Sequence, residues 1–214
     1  MKKYDWDNYL IIESEFIEAG KYLSFERAEN LEADSPFLQN EIVLLGAKVE
    51  MAMKKLISFR NKDKSFSPYN ISDYKRILLV MFPQLETYKT VLIRYDYPFI
   101  PFKDWSKKKL PWWETYSGIK HGSSEISKLK YALDLLAAYQ ILLFLIHYEE
   151  QRDGEYVFYT LGEMPKLLDI QFDKETIIFG TIGFGFPREQ IKECNDKAIE
   201  KVIALIKQET KEKA

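Results

Sequence analysis

Apolar side chains recur at three- and four-residue steps along most of this chain, the spacing that places them on one face of an α-helix. Trp6, Tyr9, Leu10, Phe16 and Ile17 define a first helix over residues 6–19, with Gly20 where a helix would stop. Asp34-Ser35-Pro36 predicts a second helix start, because it combines a capping oxygen with a proline whose φ is already helical. From there Phe37, Ile42, Leu45, Val49, Ala52, Met53, Leu56 and Ile57 form a stripe that runs to about Arg60. A polar loop follows over residues 61–70, and Ser72 is a candidate cap for a third helix through Ile77, Leu78, Val80 and Met81. Pro83 should kink that helix, which the spacing of Leu85, Tyr88, Val91 and Leu92 then carries on to about Arg94.

The second half is more varied. Pro98, Pro101 and Pro111 stand among Phe99, Phe102 and Trp105, a composition that suits a rigid, partly buried loop. Residues 112–120 predict a short helix, His121-Gly122-Ser123-Ser124 a turn, and residues 125–150 the longest helix. Between residues 131 and 148 only Asp134, Gln140 and His147 are clearly polar, so the stretch is long and apolar enough to span a bilayer. The early aspartate, the flanking lysines and Glu149-Glu150 favour a buried central helix instead. We also expect a homodimer that uses part of residues 129–148, because so wide an apolar stripe exceeds what one packing partner covers. Beyond Asp153-Gly154 the pattern changes to β-branched and aromatic runs at 156–161, 167–172 and 176–186, which predict a small β appendage. A final helix over about 188–211 would bury Ile191, Cys194, Ala198, Val202, Leu205 and Ile206. The fold class is therefore mostly α, a helical bundle over about 6–150 with a small β appendage near residues 156–186, in a single domain of 214 residues.

Composition narrows the function classes. Hydrophobic residues at 46% give ample material for a core, and 31 Lys plus Arg against 33 Asp plus Glu leave no overall field that would draw in nucleic acid or membrane. Any basic site must be local. One cysteine, Cys194, and two histidines, His121 and His147, exclude an internal disulfide and the usual structural zinc clusters. Gly180, Gly183 and Gly185 form neither a phosphate loop nor a dinucleotide fingerprint, and suit tight strand packing. No cofactor and no metal are expected. Asp5, Asp7, Glu13 and Glu15 interrupt the N-terminal stretch and make it unlike a secretory signal, so a cytoplasmic protein without a membrane partner is expected.

One local cluster stands out. Between residues 103 and 130, seven lysines face three carboxylates, a formal charge of plus four, interleaved with tryptophan and tyrosine. Single-stranded nucleic acid is held by such pairings, phosphates on lysine and bases on flat rings. Lys103, Trp105, Lys107, Lys108, Lys109, Trp112 and Tyr116 are the candidate contacts. The alternative is that the tryptophans belong to the core and the lysines only solvate a loop.

The string Trp112-Trp113-Glu114-Thr115-Tyr116-Ser117-Gly118-Ile119-Lys120-His121, followed by the alanine- and leucine-rich stretch 129–148, resembles a bacterial HEPN-like family with a Trp-Trp-x-x-Tyr-Asn-x-x-Lys-His signature. Pro98-Phe99, Pro101-Phe102, and Ser35-Pro36-Phe37 leading to Glu50 and Lys54 are similar too, so the resemblance covers roughly residues 35–150. It implies a helical, often dimeric protein that binds RNA or a nucleotide, a divergent or inactive ribonuclease of phage-defence or toxin systems, with an antitoxin-type protein as a further partner. HEPN ribonucleases use Arg-x(4–6)-His, whereas Glu114, Thr115 and Tyr116 precede His121, and Gln140, Ile141 and Leu142 precede His147. Ser117 also stands where the signature has asparagine.

His121 therefore has two readings. As a catalytic group it would move a proton while Lys120, or an unpaired arginine from elsewhere such as the partner subunit, stabilises charge on phosphorus. As a structural group it would cap or orient the turn through its ring nitrogens. The rival to the whole nucleic-acid reading is a non-enzymatic helical interaction module whose aromatic groove at Trp105 and Trp112 takes a protein or a small ligand.

Overall fold

The structure, a computed structural model, describes residues 3–25, 27–61, 70–94, 97–123, 126–151, 163–171, 178–180, 183–185 and 196–212. Six α-helices account for most of the described residues: α1 (Lys3–Ala19), α2 (Pro36–Arg60), α3 (Ile71–Met81), α4 (Pro111–Lys120), α5 (Leu129–Gln151) and α6 (Asp196–Lys211). The strands are β1 (Lys89–Leu92), β2 (Tyr97–Phe99), β3 (Leu168–Gln171), β4 (Ile178–Gly180) and β5 (Gly183–Gly185).

α5 is the axis. Its side chains from Leu135 to Glu149 are all buried, and α2, α1, α4 and the strands β1, β2 and β3 pack around it. Most of the helix's longest apolar stretch, Leu129–Glu150, lies inside the protein. The wide apolar stripe from Leu135 to Glu149 is covered by the chain's own elements. α2 supplies the largest cover. Ser35 accepts a hydrogen bond from the Leu38 amide at 3.2 Å, Pro36 occupies the first turn, and every stripe residue except Phe37 is buried. Phe37 instead meets the ring of Phe16 on α1, with centroids 6.1 Å apart.

The third helix is shorter than its periodicity predicts. It is capped by Asn70, whose side chain accepts from the Ser72 and Asp73 amides at 2.9 and 3.2 Å, and it ends at Met81. Ser72 is not the cap. Residues 89–92 form β1 rather than a continuing helix, because the β-branched Thr90 and Val91 find strand partners on both sides. The sheet order is β2-β1-β3, antiparallel throughout, with Thr90 opposite Phe99 on one side and Ile170 on the other. The small β region predicted near 156–186 is present and extends into the middle of the chain: β3 completes a sheet begun by β1, while β4 and β5 pair with each other, Gly180 opposite Gly183. The strand expected at 156–161 lies outside the described residues.

α6 packs on α3 through Ile199, Ile203 and Ile206. The predicted apolar side was rotated from this one: Leu205 is exposed, and Ile191 and Cys194 lie outside the described residues. Arg60, at the end of α2, donates twice to Glu149 at 2.7 Å and once to Asp196 at 2.8 Å, so it joins α2, α5 and α6.

A second polar anchor holds β3. Glu13 of α1 is buried and accepts from the amides of Lys166, Leu167 and Leu168 at 2.9, 3.0 and 3.2 Å, and from the Tyr9 hydroxyl at 3.3 Å. Gln140 of α5 donates to the Leu168 carbonyl at 2.9 Å. Glu13→Ala should cost about 3 kcal/mol or more, since several buried donors lose their acceptor at once. Urea denaturation measures this, and a loss below about 1 kcal/mol would mean that water replaces the carboxylate there.

Candidate nucleic-acid interface around α4

α4 and the loop before it are shaped by their aromatic residues. Phe102 lies 5.4 Å from Trp105 and 5.8 Å from Trp112, between ring centroids, and the Trp112 indole donates to the Pro101 carbonyl at 2.6 Å. Trp105, Trp112 and Tyr116 are at most 2% exposed. These three predicted base-stacking residues pack in the core, and of the three Trp105 also contributes to the wall of a cleft beside α4.

The lysines are placed differently. Asp104 adopts the left-handed backbone conformation, with φ of 57°, which an aspartate tolerates better than most residues. Its carbonyl accepts from the Lys107 and Lys108 amides at 2.9 and 3.0 Å, and the resulting turn leaves Lys103, Lys107, Lys108 and Lys109 exposed. Lys108 beside Asp104 holds that carboxyl below its ordinary value, and Lys109 pairs with Glu114 at 2.9 Å.

Between this turn, α3 and α4 lies a cleft of about 520 Å³. Lys107, Lys108 and Lys109 border it on one side, Lys75 and Ser72 of α3 on another, and Trp113, Ser117 and Gly118 of α4 on the third. Lys75 and Trp113 were not singled out as contacts by the sequence. Trp112 and Trp113 are successive on a helix and so point about 100° apart; only one of them can enter the core, and nothing local says which. Trp113 is the partly exposed one, braced by Tyr116, Trp112 and Tyr74 at centroid distances of 5.3, 6.1 and 6.5 Å.

On its other side α4 meets α2. Here the structure brings together Glu50, Lys54, Tyr116 and Lys120, which the resemblance had drawn from distant parts of the chain. Lys54 and Lys120 lie 2.8 and 3.4 Å from the Glu50 carboxylate, and the Tyr116 hydroxyl donates to it at 3.3 Å. Partial burial pushes the Glu50 carboxyl up, but the two lysines outweigh it and hold the group below its ordinary value. Lys120 is therefore tethered to Glu50, with its ammonium 5.3 Å from the Tyr116 ring centre.

His121 follows at the end of α4. Gly122, with φ of 68°, forms the left-handed cap, and the Gly122 and Ser123 amides donate to Ile119 and Gly118. The backbone and Gly122 orient this turn. The His121 ring is exposed and makes no hydrogen bond among the described residues, so the capping role expected of its nitrogens is not what the structure has. It stands at the same end of α4 as Ser117, Gly118 and Ser123, which border the cleft. Of the arginines, Arg60 is engaged by Glu149 and Asp196 and Arg76 by Glu209, so neither of these is paired with His121. Among the described residues no group of His, Cys, Asp and Glu could hold a metal ion. No family model, no curated protein and no solved structure matches this chain.

Two expectations follow from these placements. A Cβ at Gly46 of α2 would sit 2.1 Å from the Tyr116 ring, so Gly46→Ala should force α4 outward and cost about 1–3 kcal/mol, with a change in near-UV circular dichroism from the neighbouring tryptophans. An unchanged spectrum and melting temperature would show that α4 yields freely. The histidines should divide sharply. His121→Ala should leave the melting temperature unchanged, whereas buried His147→Ala should cost about 2–5 kcal/mol near neutral pH. Burial pushes the His147 imidazole down to about 4. Between its ordinary value and about 4 the unfolded chain takes up a proton that the native state refuses, so wild-type stability falls as pH falls through that window. The His147→Ala penalty should accordingly shrink toward acid. The difference between variant and wild type is the quantity to measure, because Glu41 and Asp134, both raised to about 7 with burial as the main cause, titrate in the opposite sense.

Proposed function

We propose that this protein binds single-stranded RNA at the lysine-bordered cleft beside α4, as a HEPN-like protein of the kind that serves in defence or toxin systems. The observation that carries this is the cleft itself: four lysines from two separate segments converge on a concave surface with a partly exposed tryptophan in its wall. In a chain with formal net charge −2, such a concentration of cations is local by construction. The meeting of Glu50, Lys54, Tyr116 and Lys120 supports the HEPN-like part of the reading, since these residues carry the resemblance.

Within this proposal the geometry favours binding over catalysis. Lys120 is tied to Glu50, and His121 is the free surface group beside it. Their role is to contact the strand leaving the cleft. Filter binding of single-stranded RNA across a salt series tests the proposal. The logarithm of affinity should fall linearly with the logarithm of salt, with a slope of about −0.7 for each phosphate neutralised. Replacing Lys107, Lys108 and Lys109 together by glutamine should flatten that slope by roughly two, at unchanged melting temperature. Salt-insensitive binding, or none, rejects the proposal.

A further inference from the structure

The cleft has the dimensions and the charge of a pocket for one nucleotide rather than of a track for a strand. Its volume of about 520 Å³ falls within the range of single small-ligand sites. The cations around it are unequal. Lys108 and Lys109 already have carboxylates, Asp104 and Glu114, within 3.0 Å, whereas Lys75 and Lys107 form no direct ion pair among the described residues, and Asp104 acts on Lys107 only at longer range. Surface ion pairs such as the first two are weak, so an incoming anion can also draw those ammonium groups toward itself.

The remaining lining suits a phosphate. Ser72 and Ser117 place hydroxyl groups on the cleft from α3 and α4, while the Ser123 hydroxyl donates to the Gly118 carbonyl. The first turn of α3 borders the cleft through Ile71 and Ser72, so the positive end of that helix faces the same space. Asn70 already occupies the Ser72 and Asp73 amides, and the helix therefore contributes its dipole rather than those N–H groups. Trp113, fixed by three aromatic neighbours, supplies a rigid flat surface for a base. Glu114 is the single acidic residue of the lining and is held by Lys109.

Two lysines without a direct ion pair match a dianion better than a singly charged phosphodiester. A terminal phosphate monoester carries nearly two negative charges at neutral pH, whereas each internal linkage of a strand carries one. We infer that the cleft recognises a nucleoside phosphate through its terminal, dianionic monoester, with Lys75 and Lys107 on the phosphate and Trp113 beside the base. This rests on the proposed RNA binding when the ligand is the phosphorylated 5′ end of a strand, and is independent of it when the ligand is a free mononucleotide.

Fluorescence anisotropy with one short single-stranded RNA, prepared with a 5′-phosphate and with a 5′-hydroxyl, decides the matter, together with direct titration and competition by adenosine monophosphate. The 5′-phosphorylated strand should bind about tenfold more tightly or better, a difference of about 1.4 kcal/mol. The double substitution Lys75→Gln and Lys107→Gln should abolish that preference while 5′-hydroxyl RNA binding falls less. Both lysines are outside the core, and an unchanged melting temperature confirms that the variant is folded. Competition by the mononucleotide identifies a pocket open to free nucleotide, and a 5′-phosphate preference without competition identifies the strand end. Mononucleotide binding with no RNA binding upholds the inference and rejects the function proposed above. Equal affinity for the two strands with no mononucleotide binding overturns the inference and leaves RNA binding standing. A preference that survives the double substitution also overturns it, because the phosphate would then sit elsewhere.

Discussion

A helix with no polar face cannot rest on a surface; it has to be surrounded. α5 imposes that requirement on everything else in this protein. Its side chains are buried through nearly four turns from Leu135 to Glu149, so helices must lie against it on several sides and a sheet must close what they leave. α2 is long enough to cover most of its length, while α1 and α4 cover further sides, and β1, β2 and β3 complete the enclosure. The polar groups that enter this apolar shell are bound at fixed places. Arg60 and Glu149 satisfy each other at one end, and Glu13 and Gln140 hold the backbone of β3. Removing one member of either arrangement leaves buried groups without partners, which is why such anchors are costlier to break than their net contribution suggests.

The candidate interface follows from how α4 joins that shell. Gly46 lets the Tyr116 ring lie directly on α2, and Trp112 locks the preceding loop through Pro101. The aromatic side chains that looked like a binding platform are the means of fastening α4, and what they present outward is Trp113 and the lysine turn. Rigid support beneath and cations above is a sound division for a binding surface, since groups on well-packed elements lose little freedom when a ligand arrives.

Most helices were legible because their signals are local. Ser35-Pro36 caps α2, Gly20 ends α1, and the stripe of α2 survives almost intact as its buried face. The errors arose where the deciding partner is distant in sequence. Residues 89–92 satisfy a helical period as well as a strand, and only β3, nearly eighty residues later, settles the choice. The width of the α5 stripe says that the helix must be covered, but which elements wrap around it depends on segments far away in the sequence. At the site, the sequence found the lysines of the turn and the end of α4. It could not find Lys75, which comes from another helix, nor tell Trp113 from Trp112.

The turn at 121–123 shows how a structural and a chemical reading can be separated by asking which atoms do the holding. A histidine between two helices invites both, and the ring would be needed for the fold only if its nitrogens closed the turn. Among the described residues they do not: the Gly122 and Ser123 amides satisfy the last carbonyls of α4, and Gly122 supplies the left-handed conformation that most side chains disfavour. The fold therefore places no demand on the identity of residue 121 beyond its backbone. An exposed imidazole retained beside a tethered lysine, at the rim of a basic cleft, is free to serve a ligand in a way that His147, enclosed and neutral within α5, is not.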